Sequence, residues 1–254
     1  MKNINSQNSF YGYVLACFSV FIWGITFVCT KHLLIYFSAF EILNEKVLFN
    51  IDPDGFFAKE YSIPTQYGTH IDAPIHFANG KRTLDQISID ELILPLYVLH
   101  FEDKVEANHD YKVTRESIQT YEAEHGEIPA NSFVAFSSGW SKRWNDHDAF
   151  YNKDEEGVSH TPGWTVDALD YLNKKRHVTA IGHETLDTDS GVDYARTNAL
   201  AAEFYWLAQD KYQVEVMDNL WQLPTQGAVI IVAPINVVDA PGFSVRAFAL
   251  IPNK

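Results

Sequence analysis

The chain has 254 residues, with 33 Asp and Glu against 19 Lys and Arg, and a formal net charge of −14. So acidic a surface repels phosphate backbones and anionic lipid headgroups, which excludes a nucleic-acid role and leaves a small organic molecule as the expected substrate. The two cysteines, Cys17 and Cys29, stand about 18 Å apart if they share one helix, so they cannot pair, and the rest of the chain has no thiolate for catalysis or metal binding.

From Phe10 to Thr30 no residue is charged, and Phe, Val, Ile and Leu dominate. That length of uncharged sequence, bracketed by Lys2 and Lys31-His32, predicts a membrane-spanning helix and an anchor through residues 10–30. It is too long for the apolar core of a signal peptide, and a helix buried in a soluble core would show a polar face. The expected organisation is a hydrophobic segment over residues 1–45 followed by one soluble domain over 46–254. Nearly all the negative charge lies in the second part, since the first holds Lys2, Lys31, Glu41 and Glu45.

Residues 68 to 76 read Gly-Thr-His-Ile-Asp-Ala-Pro-Ile-His. In an extended segment His70 and Asp72 leave the same face, about 7 Å apart along the chain, and can converge on one ion. His76 lies beyond Pro74, which biases Ala73 toward extended geometry and turns the chain. One nitrogen ligand, one oxygen ligand and a nearby imidazole free to move protons suit a hydrolytic Zn²⁺ or Mn²⁺ site.

Apolar runs rich in β-branched and aromatic residues predict strands over 94–101, 132–137, 178–181, 212–216, 228–232 and 245–251. Between them, Thr114 caps a predicted helix ending near Gly126, Thr165 caps one running to Lys174, and Thr197 or Asn198 opens a third reaching about Gln209. Residues 144–157, with five Asp or Glu, read as a surface loop. Glu203 falls on the third helix among Phe204, Trp206 and Leu207, where an unpaired carboxylate is costly unless a metal or an Arg resolves it. Glu215 follows twelve residues later in the next strand. Trp140 and Phe77 could wall a pocket for a planar substrate. His100, His109, His125, His147 and His177 carry no assignment.

With Gln66 placed before it, the loop is similar to that of the cyclase family of metal-dependent hydrolases, the family of bacterial kynurenine formamidase and isatin hydrolase. The family pattern is His-x-Gly-Thr-His-x-Asp-x-Pro-x-His, and only its first position departs, where Gln66 stands for His. The likeness continues through residues 77–85 and 94–99, Ser138-Gly139-Trp140, His160-Thr161-Pro162-Gly163, residues 182–191, Asp239-Ala240-Pro241-Gly242-Phe243 and Arg246-Ala247, so it covers the chain from roughly residue 46 to the end.

The resemblance implies a mixed α/β domain, with a central mixed sheet or barrel flanked by helices. It implies a metal site of Gln66, His70, Asp72, Glu203 and Glu215, with Glu203 where the formamidase branch has His. His76 is the implied proton shuttle, and His160, His183 and Asp187, with Trp140 and Phe77, are expected to line the pocket or support the ligands. One or two divalent ions are expected, and the oxygen-rich set shifts the expectation from Zn²⁺ toward Mn²⁺. The implied reaction is hydrolysis of a carbon–nitrogen bond in an amide, formamide or cyclic amide, arylformamidase-like, by a cytoplasmic homo-oligomer, dimer or tetramer.

The segment Phe21-Ile22-Trp23-Gly24-Ile25-Thr26-Phe27-Val28, with Lys31 after it, resembles the first helix of drug/metabolite (EamA-type) transporters; one such helix cannot transport. The two resemblances together suggest a gene fusion in which the hydrophobic segment replaces the strands that open family members. The rival expectation is therefore a catalytically inactive metal-binding module, anchored or truncated, whose missing strands weaken barrel closure.

Overall fold

The computed structural model describes residues 44–252. The predicted membrane-spanning helix and the transporter resemblance lie outside these residues. Among the described residues, no helix is long and apolar enough to cross a membrane.

The chain divides into two units, Met1–Ile63 and Pro64–Lys254. What is described of the first is an antiparallel hairpin of β1 (Asn44–Phe49) and β2 (Ala58–Ser62). Its connection turns through Gly55, whose φ of +80° is open to glycine without a Cβ penalty and whose N–H bonds the Ile51 carbonyl at 2.8 Å.

The second unit runs β3 (His70–Asp72), β4 (Ile93–His100), α1 (Glu102–Ala107), β5 (Lys112–Val113), α2 (Arg115–His125), β6 (Phe133–Ser137), α3 (His147–Tyr151), β7 (Gly163–Trp164), α4 (Val166–Lys174), β8 (Ala180–His183), α5 (Gly191–Thr197), α6 (Ala201–Ala208), β9 (Tyr212–Glu215), β10 (Ala228–Pro234) and β11 (Gly242–Leu250). Seven of the strands close a barrel in the order β10, β11, β3, β9, β8, β6, β4. Neighbours are parallel from β4 through β6 and β8 to β9 and antiparallel around the rest. This is the expected mixed α/β architecture. The expected weakness in closure is not found, because every barrel strand lies after residue 69 and the ring closes without an earlier one.

Alternation along the strands separates two cores. Ile71, Leu96, Val98, Phe133, Ala135, Val214 and Ile230 fill the barrel interior. Leu99, Val134, Phe136 and Ile181 point outward and pack with Ile118 of α2, Leu169 of α4 and Trp206 of α6. Burial on both faces explains why β6, Phe-Val-Ala-Phe-Ser, shows no polar alternation. Gly182 makes room for the interior: a Cβ there would lie 2.4 Å from Met217 Sδ and 2.7 Å from the Phe133 ring.

Thr114 and Thr165 cap their helices as predicted, accepting from the Ser117 and Ala168 N–H groups. The third helix is a correction. Asn198 takes a left-handed φ of 52° and ends α5, which Ser190 caps, and α6 starts at Ala201. The Asp189 carboxylate accepts from the N–H groups of Ala202 and Glu203 at 2.9 and 3.0 Å, a stronger start signal than Thr197 or Asn198 could supply. The acidic stretch 144–157 carries the short helix α3.

Phe133 is fully buried at the centre of the barrel interior. Phe133→Ala should cost about 3–5 kcal/mol, read as a lower urea midpoint with an unchanged slope.

Candidate metal centre

The centre is built where β3 pairs with β9. Their antiparallel register sets His70 opposite Glu215 and Asp72 opposite Gln213. Ile71 and Val214, between them, point into the barrel, so His70, Asp72, Gln213 and Glu215 all project from its outer face. Helix α6 covers that face and brings Glu203, and the helical turn Pro74–His76 brings His76.

Two groups of potential ligand atoms share Asp72. His70, Asp72 and Glu215 form one; Asp72, His76 and Glu203 form the other; within each, the ligand atoms lie within 4.8 Å of one another. His70 Nε2 is 3.4 Å from Glu215 Oε2 and 3.6 Å from Asp72 Oδ2. His76 Nε2 is 3.8 Å from Asp72 Oδ1, and His183 Nε2 is 3.3 Å from Glu215 Oε1 without hydrogen-bond geometry. His70, Asp72, Glu203 and Glu215 are buried, while His76 stays partly open.

The hydrogen bonds show what the cluster lacks. His70 Nδ1 lies 2.8 Å from the Gly68 carbonyl, which can only accept, so the proton sits on Nδ1 and Nε2 presents either a lone pair or a second proton to two carboxylates. Without a cation, burial pulls the His70 imidazole down, but its bonds to Asp72 and Glu215 outweigh that and push it up to about 10. Burial raises Asp72, and the contact with His70 more than reverses this, leaving it low. Glu203 is driven well above the usual carboxylate range by burial and by the charges of Glu215, Asp72, Asp187 and Asp189. Asp72 Oδ1 and Glu203 Oε2 are buried and have no hydrogen-bond partner. Surplus buried negative charge, orphaned carboxylate oxygens and an imidazole nitrogen aimed among them fit a divalent cation.

The predicted ligand Gln66 borders this group. A Cβ on Gly242, which pairs with Asp72, would lie 2.2 Å from the Ile71 carbonyl oxygen, so the strands require glycine there, and it would also lie 2.7 Å from Gln66 Nε2 and 3.3 Å from Asp72 Oδ1. Gln66 Oε1 accepts from the Thr65 hydroxyl, and Gln66 Nε2 has no partner. Turning the amide over would present its oxygen to a cation and let the Thr65 hydroxyl accept instead.

Of the other predicted residues, His183 and Asp187 lie beside the carboxylates. Asp187 opens onto a cavity of about 350 Å³ walled by Trp140, Phe150, Tyr151, Leu186 and Tyr194. Crowding around its carboxyl and the charge of Glu215 push Asp187 up to about 7. Trp140 is held by its indole N–H on the Phe150 carbonyl at 2.9 Å. Phe77 meets the His76 ring edge-on, with centroids 5.0 Å apart. His160 is not part of the cluster: Nδ1 is 2.8 Å from Asp110 and Nε2 3.2 Å from Asp154, so it ties down the segment that forms the far wall of the cavity.

Sequence reasoning missed Gln213. Fully buried, it donates from Nε2 to Glu215 Oε1 at 2.9 Å and to Asp72 Oδ2 at 3.2 Å, while the Thr188 hydroxyl donates to its Oε1 at 2.8 Å. It spaces two carboxylates that would otherwise repel. Its position two residues before Glu215, on the same strand face, was the available signal.

The family model described as "Putative cyclase" matches residues 20–190. The chain belongs to the cyclase family. It is 35% identical over 208 residues to the isatin hydrolase of Roseibium aggregatum, spanning 80% of this chain and 78% of that one. The structure of isatin hydrolase A from Ralstonia solanacearum superposes with a TM-score of 0.77 at 32% identity, covering 83% of this chain and 82% of that one. A structure described as a potential metal-dependent hydrolase with cyclase activity shares the fold, with a TM-score of 0.57 at 20% identity over 80% of this chain and 85% of that one. Family membership and the donor set make the protein a metal-dependent hydrolase.

Asp110 and Asp154 hold the His160 imidazolium above its ordinary value of 6.5. Their contribution to stability is therefore present below about pH 6.5 and lost as the pH rises through the raised value. The melting temperature of the wild type should exceed that of His160→Gln most at about pH 5.5, and the gap should narrow as the pH rises above 6.5.

Proposed function

We propose that the protein hydrolyses the carbon–nitrogen bond of an aromatic cyclic amide, with aryl formamides as a second substrate group. The observation that carries the reading is the convergence of His70, Asp72 and Glu215 beside an aromatic-walled cavity that Asp187 also lines. The likeness to two isatin hydrolases supports a cyclic amide first.

His70, Asp72 and Glu215 would hold the ion, with Glu203 and Gln66 completing its oxygen-rich shell, a set that favours Mn²⁺ over Zn²⁺. A bound ion supplies a coordinated water of lowered pKa and polarises the substrate carbonyl. Trp140, Tyr151 and Tyr194 line the cavity and would give a planar ring an aromatic surround. His76, partly open and 3.8 Å from Asp72 Oδ1, takes the proton from the attacking water and returns it to the leaving nitrogen. Water thus adds across the bond: its oxygen joins the carbonyl carbon, one proton passes to the nitrogen, which leaves as an amine, and the carboxylic acid formed releases the other proton to solvent as it becomes a carboxylate.

The test is turnover of isatin, N-formylkynurenine and simple formanilides by metal-stripped protein reloaded with Mn²⁺ or Zn²⁺. His70→Ala should lose both metal and turnover. His76→Ala should keep its metal and lose about 10²–10⁴ in kcat. A folded, metal-loaded wild type that turns over none of the panel would favour the inactive module.

A further inference from the structure

Among the described residues, eight non-glycine positions have positive φ: Asn131, Asn152, His177, Asn198, Asp210, Val216, Asn219 and Asp239. Seven are Asn, Asp or His, which visit the left-handed region at modest cost. Val216, at φ 52°, is β-branched, and there such a backbone is an outlier that the surroundings must enforce. It directly follows Glu215, the last residue of β9.

The enforcing contacts come from the two other segments that carry the centre. The Thr69 hydroxyl, next to His70, donates to the Val216 carbonyl at 2.6 Å. The Val216 N–H donates to the Thr185 carbonyl at 3.1 Å, and the Met217 N–H donates to the His183 carbonyl at 2.9 Å. Thr69 is itself anchored, since its carbonyl accepts from the Val245 N–H at 2.9 Å. Val216 is buried among the core residues between sheet and helices, so the kink cannot relax by swinging outward.

We propose that Thr69 is a positioning residue that aims the Glu215 carboxylate by holding the kink at Val216. The Thr69 hydroxyl ties the backbone just beyond Glu215 to the strand bearing His70, and with the bonds from the Val216 and Met217 N–H groups it holds a turn that the β-branched side chain resists, which keeps β9 from straightening and swinging Glu215 away from His70. This rests on the metal centre described above but assigns it a residue that touches neither ion nor substrate.

The experiment is calorimetric titration of metal-stripped protein with Mn²⁺ alone, with folding checked by circular dichroism. Thr69→Val keeps the β-branched shape and removes the hydroxyl; it should weaken Mn²⁺ binding about tenfold, and Thr69→Ser should restore it. Val216→Gly adopts the left-handed conformation without a Cβ penalty, so placed in the Thr69→Val background it should recover much of the lost affinity. In turnover, Thr69→Val should lose kcat at saturating metal with KM unchanged. Should Thr69→Val fail to fold, Thr69→Ala in the same titration decides. Wild-type affinity in the folded Thr69 variant overturns the proposal and leaves the centre standing, while a wild type that takes up no ion overturns the centre itself.

Discussion

The pairing of β3 with β9 is the constraint on which the rest depends. Slipping it by one residue would turn His70, Asp72, Gln213 and Glu215 into the apolar barrel and expose Ile71 and Val214. The hydrophobic effect thus fixes where four polar side chains point, although it acts on their neighbours. Once they are placed, electrostatics works against the fold: buried carboxylates on β3, β9 and α6 crowd together, with Gln213 as the neutral spacer. The arrangement is coherent only with positive charge at its centre, whether a protonated His70 or a divalent ion.

The barrel and its helices divide the labour. The interior is filled by aliphatic and aromatic side chains, and the candidate ligands project from the outer face, between barrel and helices. There α6 supplies Glu203, and its first turn is pinned by Asp189. A network beside it does similar work: the buried Glu184 carboxylate accepts from the Ser138 and Trp140 N–H groups and from the Ser138 and Ser141 hydroxyls, which fixes the loop that presents Trp140 to the cavity.

Much of this is legible in the sequence where information is local. The His70 to His76 loop, the period-two strands and the Thr114 and Thr165 caps depend on residues a few positions apart. The order of strands around the barrel does not, because β3 lies between β9 and β11, both from the far end of the chain. Asn198 was misread for a related reason, since a residue that caps a helix start also tolerates the left-handed end of the preceding one. The sequence puts His160 among residues expected to line the pocket or support the ligands; in the fold it pairs with Asp110 and Asp154, between the cavity-lining Ser159 and Thr161, and Asp110 lies too far off in sequence to be read from it. Nothing in the pattern marks Val216, because strain arises only after distant segments meet.

β3 is three residues long, yet it is the stave that joins β11 to β9. So short a strand contributes few ladder hydrogen bonds of its own, and a cation gripped by His70 and Asp72 on one side and Glu215 on the other would act as a clasp across that seam. Any ion that binds the closed barrel and not the open one adds its binding free energy to closure. Occupancy and barrel integrity are then one equilibrium, and starving the protein of metal should loosen this seam before any other part of the ring, with the amide protons of Ala73 and Val245 the first to exchange.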